Sequence, residues 1–336
     1  MGMPRQIKLP KRVALEAAWV NIRMFDAWVA GQLEDCDAFV AISGSGLVAG
    51  RVAKSRGAKY ICDRGSSHIR YQAEIVCEEY GRWGFPGERV DPRVIDRELA
   101  EYEEADAITV PSEFSRRSFL EMGVPEAKLR KVPYGVRLDR FQKLGEPDRE
   151  RFDVLFAGTV SIRKGIPYLL EAFSRFKHPK KRLRLAGPVE REMSSLLAKF
   201  DMTNVEVLGR RTQEDLARLM SQSHVMVLPS VEDGFGLVMA QAMACGAMVI
   251  ASENTGGPDL FSDGVEGFVV PIRSAQAIAS RLTQLADDPA LRQQMSEAAL
   301  QRVQSLGGWT DYGTRCATLY ESLVREGKKP ASAHNA

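Results

Sequence analysis

Two glycine-rich turns, both after residue 150 of the sequence, carry the residues best suited to chemistry. One is Asp233-Gly234-Phe235-Gly236, which follows an apolar run at 224–228 and precedes a small-residue segment ending at Cys245-Gly246. A strand, a glycine turn and a helix in this order leave the first helical N–H groups, around Phe235 to Val238, without partners inside the helix. Such N–H groups attract anions, so the pattern predicts a phosphate site.

The other turn runs from Gly158 to Gly165, again after an apolar run and before a helical pattern. Its glycines permit close approach of a ligand to the backbone, and Arg163 and Lys164 place two cations beside it. A planar guanidinium and a compact ammonium together suit a diphosphate. The alternative, an exposed Arg-Lys pair on a loop, is less favoured because a second phosphate-type turn follows one group of strands later.

A third glycine pattern, Gly44-x-Gly46-x-x-x-Gly50, lies in the first half of the chain. It follows a predicted strand and has Asp63 at the end of the next one. The arrangement is compatible with a dinucleotide-binding oxidoreductase, although a lone glycine fingerprint is a weak signal. Asp35-Cys36-Asp37 has the Asp-x-Asp spacing of some metal-diphosphate sites, but it precedes a strand and is interpreted as a solvated loop.

Histidines offer one candidate for the site. His68 comes just after a predicted strand end, where cleft residues of an open α/β sheet lie, so it is either a cleft residue or a structural one. His224 begins a strand and is interpreted as structural, while His178 and His334 lie in polar segments. No His-rich or Cys-rich cluster has metal-ligand spacing, and no Gly-x-Ser-x-Gly motif is present.

The composition indicates a globular protein. The chain has 336 residues, 44% of them hydrophobic, which suits about two domains. A net charge of +2 gives no reason to expect a nucleic acid partner. Five cysteines without a Cys-x-x-Cys pair indicate reduced thiols in a cytoplasmic protein. No apolar run approaches the roughly 20 residues that cross a bilayer.

The start of the sequence is basic. Arg5, Lys8, Lys11 and Arg12 are not accompanied by any acid, and apolar residues at helical spacing follow them. This pattern is compatible with a helix that lies on an anionic inner membrane face. The favoured alternative is a solvated basic end that leads into a packed helix. Peripheral membrane contact is therefore one of two hypotheses for this segment.

Alternating strand and helix patterns predict an α/β fold with two Rossmann-like domains, whose parallel sheets face a cleft. The charged, turn-rich segment 139–151 is predicted to link them. We therefore expect an N-terminal domain at 1–143 and a C-terminal domain at 144–308. A last helix at 309–326 is expected to pack back toward the N-terminal domain, with a disordered tail at 327–336.

Three stretches resemble the retaining nucleotide-sugar glycosyltransferases of family 4, also called group 1, which have the GT-B fold. They read LFAGTVSIRKGIPYLLEAF, VLGRRTQEDLARLMSQSHVMVLPS and EDGFGLVMAQAMACGAMVIASENTGGPDLFSDGVEGFVVP, and the resemblance extends over about residues 105–325. It implies that the C-terminal domain binds the sugar nucleotide and that the N-terminal domain forms the acceptor side.

The resemblance also implies roles for individual residues. Asp233 falls at the first acid of the family's Glu-x7-Glu motif, which contacts the transferred sugar, and Gln241 falls at the second, which binds the ribose. Thr159 stands where relatives often carry an arginine. The implied catalytic residues are Asp233, Arg163, Lys164 and His68. The implied donor-binding residues are Gly158, Thr159, Gly209, Arg210, Glu232, Gly234, Phe235, Gly236, Leu237, Val238 and Gln241.

The implied reaction moves a hexose from a nucleoside diphosphate sugar to a hydroxyl of a saccharide or lipid-linked saccharide, with retention and without a metal or other cofactor. Synthesis of a cell-surface polysaccharide or glycolipid is the expected setting. A catalytically impaired sugar-nucleotide-binding protein and a nucleotide-sugar epimerase stay open as alternatives. The first strand and Gly-Gly loop of relatives find no match, so we expect an incomplete N-terminal domain whose exposed strand edges favour a homodimer.

Overall fold

The computed structural model describes residues 10–87, 89–137 and 139–328. Strands and helices alternate along the chain. The strands are β1 Ala38–Ile42, β2 Lys59–Asp63, β3 Ala107–Val110, β4 Leu129–Lys131, β5 Phe152–Ala157, β6 Lys181–Ala186, β7 Val205–Gly209, β8 Val225–Leu228, β9 Met248–Ser252 and β10 Gly267–Val270. The helices are α1 Lys11–Gln32, α2 Leu47–Ser55, α3 Ile69–Arg82, α4 Pro92–Glu104, α5 Glu113–Glu121, α6 Ile166–Arg175, α7 Arg191–Leu197, α8 Gln213–Ser221, α9 Val238–Ala244, α10 Gly257–Leu260, α11 Ala275–Asp287, α12 Pro289–Ser305 and α13 Trp309–Lys328.

Local sequence explains why these elements form. All residues of β5, β8 and β9 are buried, as expected for strands covered by helices on both faces of a parallel sheet. Several helices begin at a residue whose side chain accepts a hydrogen bond from an N–H of the first turn. Ser112, Thr212 and Ser274 do this for α5, α8 and α11. These caps place the helix starts at the strand ends, where the functional residues lie.

The C-terminal sheet has six parallel strands in the order β10-β9-β8-β5-β6-β7. The chain enters at β5, extends the sheet through β6 and β7, and then returns to place β8 on the other side of β5. This is the doubly wound order, and ligands bind at the point where it reverses, outside the carboxyl ends of β5 and β8.

The N-terminal sheet has four parallel strands in the order β1-β2-β3-β4, without such a reversal. Helix α13 returns to this sheet and packs Leu323 against Ile61 and Ala107. The two parallel sheets confirm the predicted α/β fold of two Rossmann-like domains. At the outer edge, β1 leaves Val40 and Ile42 exposed, and α1 leaves other large apolar side chains in solvent.

The two domains meet along α3 and the turn that precedes it. Val76 and Tyr80 of α3 belong to the hydrophobic core of the C-terminal domain. Arg273, before α11, binds Glu79 at 2.6 Å across the same interface. Gly234 lies so close to the turn after β2 that a Cβ on it would come within 2.3 Å of the Gly65 carbonyl oxygen. The cleft between the domains is therefore narrow.

Candidate functional site

A cavity of about 400 Å³, here called the first cavity, lies at the switch point where β5 and β8 end. The C-terminal domain supplies most of its walls, and the N-terminal domain adds Gly65 and Tyr134. The remaining lining residues are Ala157, Gly158, Lys164, Leu216, Leu228, Asp233, Phe235, Gly236, Leu237 and Val238. Both glycine turns predicted to bind phosphate therefore contribute to one cavity.

The 233–236 turn is held in a shape that only glycine allows at one position. Gly236 has a φ of 75°, and a Cβ there would lie 2.7 Å from the Leu228 side chain. The Phe235 carbonyl accepts a hydrogen bond from Gly256 N at 2.9 Å, which ties the turn to the loop after β9. Among the described residues, no acceptor is hydrogen-bonded to the backbone N–H groups of Phe235 to Val238. These donors line the first cavity.

Lys164 reaches the first cavity from the turn before α6 and forms an ion pair with Asp233. Their side chains are only 14% and 15% exposed, so water screens the pair less than it would at the surface. The pair places a cation beside the free N–H groups of the turn. An anionic ligand in this cavity would compete with Asp233 for Lys164.

Glu232, predicted to help bind the donor, is instead buried between the domains with no exposed surface. One carboxylate oxygen accepts hydrogen bonds from Ser66 and Ser67 of the N-terminal domain, at 2.7 and 2.8 Å. The other accepts from Gln72 at 3.0 Å and from Arg163 at 3.1 Å. Burial opposes ionisation, but Arg163 and these hydrogen bonds outweigh it and lower the pKa of Glu232. Both oxygens thus join the domains and are already occupied.

The side chains of Arg163 and Lys164, predicted to bind a diphosphate together, contact different carboxylates and line different cavities. Arg163 donates to the Glu232 carbonyl oxygen at 2.9 Å as well as to its carboxylate, while Lys164 turns to Asp233. Arg163 lines a second cavity, of about 640 Å³, on the other side of Asp233. Of the two predicted cations, only Lys164 lines the first cavity.

His68 is buried, and only 2% of its surface is exposed to solvent. Its ring packs against Tyr102 and Phe119, and its Nδ1 accepts a hydrogen bond from Arg70 N at the start of α3. Burial, together with the charges of Arg64 and Arg70, lowers the pKa of His68 to about 4. These contacts describe a neutral helix cap, and they give no support to a role for His68 beside an acceptor.

The other predicted donor-binding residues lie at strand ends of the C-terminal domain. Gly158 and Thr159 follow β5 and are exposed, and Gly158 lines the first cavity. Gly209 ends β7, and Arg210 follows it in an exposed position, two strands away from β5 in the sheet. Gln241 lies on α9 and is partly exposed. Their contacts with a donor stay predictions.

The glycine turn of the N-terminal domain is closed by side chains of its own domain. Gly46 N donates to Glu101 at 2.9 Å, and Gly44 N donates to the same carboxylate. Asp26 of α1 accepts from the N–H groups of Val48 and Ala49 at 2.8 and 2.9 Å. The positions that a dinucleotide phosphate would occupy are filled by these two carboxylates. The structure therefore gives no support to the dinucleotide interpretation.

His224 and the Asp-x-Asp segment agree with their predicted structural interpretations. The Nδ1 of His224 accepts from Asp153 N at 3.0 Å, and its ring stacks on Phe152. Asp35 has a 96% exposed side chain. Across the described ranges, no group of three or more His, Cys, Asp or Glu side chains is placed to hold a metal ion. The described helices include none with both the length and the apolar character required to cross a membrane.

Sequence reasoning missed the contributions of the N-terminal domain. Ser66 and Gln72 hold Glu232, and Tyr134 packs its ring edge-on against Phe235 at 5.4 Å. The position of Ser66 directly after a strand end was the available signal, because strand ends face the cleft. Nothing in the local sequence identifies Glu232 as their partner.

Comparison with known proteins gives a consistent result. Residues 137–302 match the family model described as glycosyl transferases group 1. A D-inositol 3-phosphate glycosyltransferase of Streptomyces bingchenggensis is 29% identical over 60% of this chain and 49% of its own length. The chain thus matches about half the length of such curated relatives. A GDP-mannose-dependent monoacylated alpha-(1-6)-phosphatidylinositol monomannoside mannosyltransferase of Corynebacterium glutamicum is 25% identical over 96% of this chain and 84% of its own.

Solved structures show the same fold. Sucrose-phosphate synthase from Thermosynechococcus elongatus superposes with a TM-score of 0.75 at 24% identity, over 95% of this chain and 81% of its own. HepE of Anabaena, solved with UDP-glucose, has a TM-score of 0.69 at 18% identity, over 90% of this chain and 82% of its own. The two Rossmann-like domains therefore adopt the GT-B arrangement.

Proposed function

We propose that this chain, whose residues 137–302 match the group 1 glycosyl transferase model, transfers a hexose from a nucleoside diphosphate sugar to an acceptor hydroxyl with retention. The first cavity is the observation that carries the proposal. It combines Lys164 with the free N–H groups of Phe235 to Val238 at the switch point of the sheet. A diphosphate needs both a compact cation and several N–H donors, and this cavity offers them together.

Two comparisons support a sugar nucleotide as the donor. The relative from Corynebacterium glutamicum is named for its dependence on GDP-mannose, and Anabaena HepE, which shares the fold, was solved with UDP-glucose. The base and the sugar differ between them, so the proposal extends to the class of nucleoside diphosphate sugars. In this proposal, cell-surface polysaccharide or glycolipid synthesis, in the cytoplasm, is the setting of the reaction.

Departure of the diphosphate is the difficult step, because negative charge develops on its leaving oxygen. In our proposal, Lys164 leaves Asp233 and binds that oxygen, and the turn N–H groups share the charge. The positive potential comes from the protein, so the proposed reaction is metal-independent. Asp233, released from Lys164, then accepts hydrogen bonds from hydroxyls of the transferred sugar.

Transfer with retention requires attack from the face that the diphosphate leaves. The bond between the sugar's anomeric carbon and the diphosphate oxygen breaks, and a bond to the acceptor oxygen forms on the same face. The acceptor proton passes to the departing phosphate oxygen, which balances the reaction without a separate protein base. Water competes with the acceptor and must be kept from the anomeric carbon during transfer.

The proposal is tested by incubating the purified chain with UDP- and GDP-linked hexoses. Binding is followed by calorimetry, and transfer to a bacterial glycolipid extract by release of the nucleoside diphosphate. We expect one sugar nucleotide to bind and to be consumed faster when the acceptor is present. If no sugar nucleotide or nucleoside diphosphate binds, the assignment of the first cavity is wrong.

A sugar-nucleotide-binding protein without transferase activity is the second candidate, and a specific feature favours it. Thr159 and Gln241 replace an arginine and an acid that relatives carry, so two expected donor contacts are weaker. This candidate predicts donor binding without release of the nucleotide. An epimerase, a more distant alternative, would instead convert the sugar nucleotide with no acceptor present.

We also propose that the outer face of the N-terminal domain is covered in the working protein. Helix α1 leaves Met24 and Trp28 67% and 63% exposed, and Ile42 at the β1 edge is 71% exposed. A homodimer and peripheral membrane contact would both cover this face. Arg5 and Lys8 of the basic segment lie outside the described residues. Sedimentation velocity tests the dimer, and co-sedimentation with anionic vesicles tests the membrane contact.

A further inference from the structure

The second cavity adjoins the first one at Asp233, the residue that we propose contacts the transferred sugar. Gly65 and Asp233 line both cavities. Asp233 is the residue assigned to the transferred sugar, so the second cavity opens beside the carbon at which transfer would occur. Its volume of about 640 Å³ is in the range that holds small-molecule ligands. Its other walls come from α3, from the segment after α3 and from the start of α7.

We propose that the second cavity binds the acceptor, and that the acceptor group it holds is an uncharged saccharide. The inference depends on the proposed glycosyl transfer, because a sugar held at Asp233 is what gives the neighbouring cavity a reaction partner. It goes further by adding residues outside the family motifs, such as Tyr80 and Glu190, to the acceptor site and by naming the charge of the acceptor's binding group.

The cations of the second cavity already have partners. Arg89 donates to Glu192 at 2.9 Å and to the Phe85 carbonyl at 2.5 Å, and its guanidinium carbon lies 4.1 Å from the centre of the Tyr80 ring. Arg163 is held by Glu232, as described above. Both terminal nitrogens of Arg89 are therefore engaged, whereas Arg163 donates to Glu232 through Nη1 alone. The N–H groups that remain on Arg163 can donate to a sugar hydroxyl, but the charge of each guanidinium already faces a carboxylate.

One carboxylate of the second cavity lacks a cation. Glu190 accepts a hydrogen bond from the Tyr80 hydroxyl, and no Lys, Arg or His among the described residues lies within ion-pair distance of it. With Lys164 and the buried Glu232 included, the side chains around this cavity comprise three cations and four carboxylates, a net charge of −1. The cations are Arg89, Arg163 and Lys164, and the carboxylates are Glu190, Glu192, Glu232 and Asp233. An anionic acceptor would therefore be repelled, whereas the hydroxyls of a neutral sugar can donate to Glu190.

Binding measurements with matched probes test this inference. The probes are methyl glycosides of common hexoses and the corresponding hexose 6-phosphates, titrated by NMR into protein saturated with a nucleoside diphosphate. We expect at least one neutral glycoside to bind about tenfold more tightly than its phosphate. Tighter binding of the phosphate, or no binding of any glycoside while the nucleotide is bound, overturns the inference.

Variants of Glu190 make the test specific to the second cavity. Glu190→Gln removes the charge and should narrow the difference between the two probes, and Glu190→Lys should reverse their order. Glu214→Lys is the matched control, because Glu214 lies on α8 with a 71% exposed side chain. If Glu190→Gln and a folded Glu190→Lys variant leave the preference unchanged, Glu190 does not face the acceptor and the inference is wrong.

The same samples separate this inference from the proposed function. Nucleoside diphosphate binding reports the first cavity, and glycoside binding reports the second. Loss of glycoside binding in Glu190→Lys with unchanged nucleotide binding supports the two-cavity assignment. Failure of the wild-type protein to bind any nucleoside diphosphate contradicts the proposed function, and with it the acceptor assignment that depends on it.

Discussion

The two domains each present a glycine turn at the start of a helix, but only one of these turns is open. In the N-terminal domain, Glu101 and Asp26 accept the hydrogen bonds of the turn at Gly44 to Ala49. In the C-terminal domain, the N–H groups of Phe235 to Val238 face a cavity beside Lys164. The same local pattern is thus structural in one domain and available to a ligand in the other.

The difference shows what makes a glycine turn an anion site. Backbone N–H groups at a helix start need an acceptor whether or not a ligand exists. Where a buried carboxylate from the same domain supplies it, the turn contributes to stability. Where the neighbouring domain leaves a cavity, the acceptor must come from solution. Substitutions should therefore reduce stability at the first turn and reduce ligand binding at the second.

The largest effect is expected from Asp26→Ala. Asp26 is fully buried and forms an ion pair with Arg97 in addition to its bonds to α2. Its removal takes the shorter ion pair from the buried Arg97, which keeps the Gly44 carbonyl and the more distant Glu101, and leaves the N–H groups of Val48 and Ala49 without acceptors. The free energy of unfolding should fall by about 3–5 kcal/mol. Chemical denaturation measures this. Asp35→Ala, at a 96% exposed side chain, is the control and should change stability by less than about 0.5 kcal/mol.

Lys164→Ala should affect ligand chemistry instead of folding. Loss of the cation that lines the first cavity should reduce kcat/KM for donor consumption by about 100- to 1,000-fold, which corresponds to about 3–4 kcal/mol of transition-state stabilisation. Steady-state kinetics with the donor measures this, and circular dichroism monitors the fold. Lys180→Ala, at a 61% exposed side chain, should retain wild-type kinetics. A Lys164→Ala protein that transfers sugar at the wild-type rate would contradict the assignment.

His68 tests whether the N-terminal turn after β2 is also structural. Its pKa is lowered to about 4, so the folded protein holds it neutral while the unfolded chain takes up a proton below about pH 6.5. Its contribution to stability is therefore complete above pH 6.5 and is lost as the pH falls toward 4, by up to about 3 kcal/mol. His68→Asn keeps a capping oxygen but does not titrate. Denaturation curves across this range should show a shallower pH dependence for the variant; equal slopes would mean that His68 is not held neutral.

Gln241→Glu should give the smallest effect. A carboxylate accepts hydrogen bonds from a ribose diol more strongly than an amide does, so donor binding should tighten by about 1 kcal/mol. Calorimetry with the nucleoside diphosphate measures this change. Clearly weaker binding in the variant would count against the placement of the ribose beside Gln241.

Much of the fold could be predicted, because its signals are local. Buried strands, glycine turns and capped helices repeat along the chain, and α/β alternation leads to parallel sheets. The site was predicted in part. Lys164, Asp233 and the 235–238 backbone do share a cavity, since both turns follow neighbouring strands. The buried contacts of Glu232 and His68 could not be predicted, because their partners come from distant parts of the chain.

Sequence alone determined the positions of the glycines, the strands that precede them and the cation beside them. These features depend on backbone conformation and on spacing, which a local stretch of residues sets by itself. The tertiary structure decided which N–H groups remain open, because Glu101 and Asp26 reach one turn from helices that are remote in sequence. It also gave Arg163 and Lys164 different partners. Buried Glu232 needs a neighbouring cation, and Arg163 supplies it, while Lys164 pairs with Asp233.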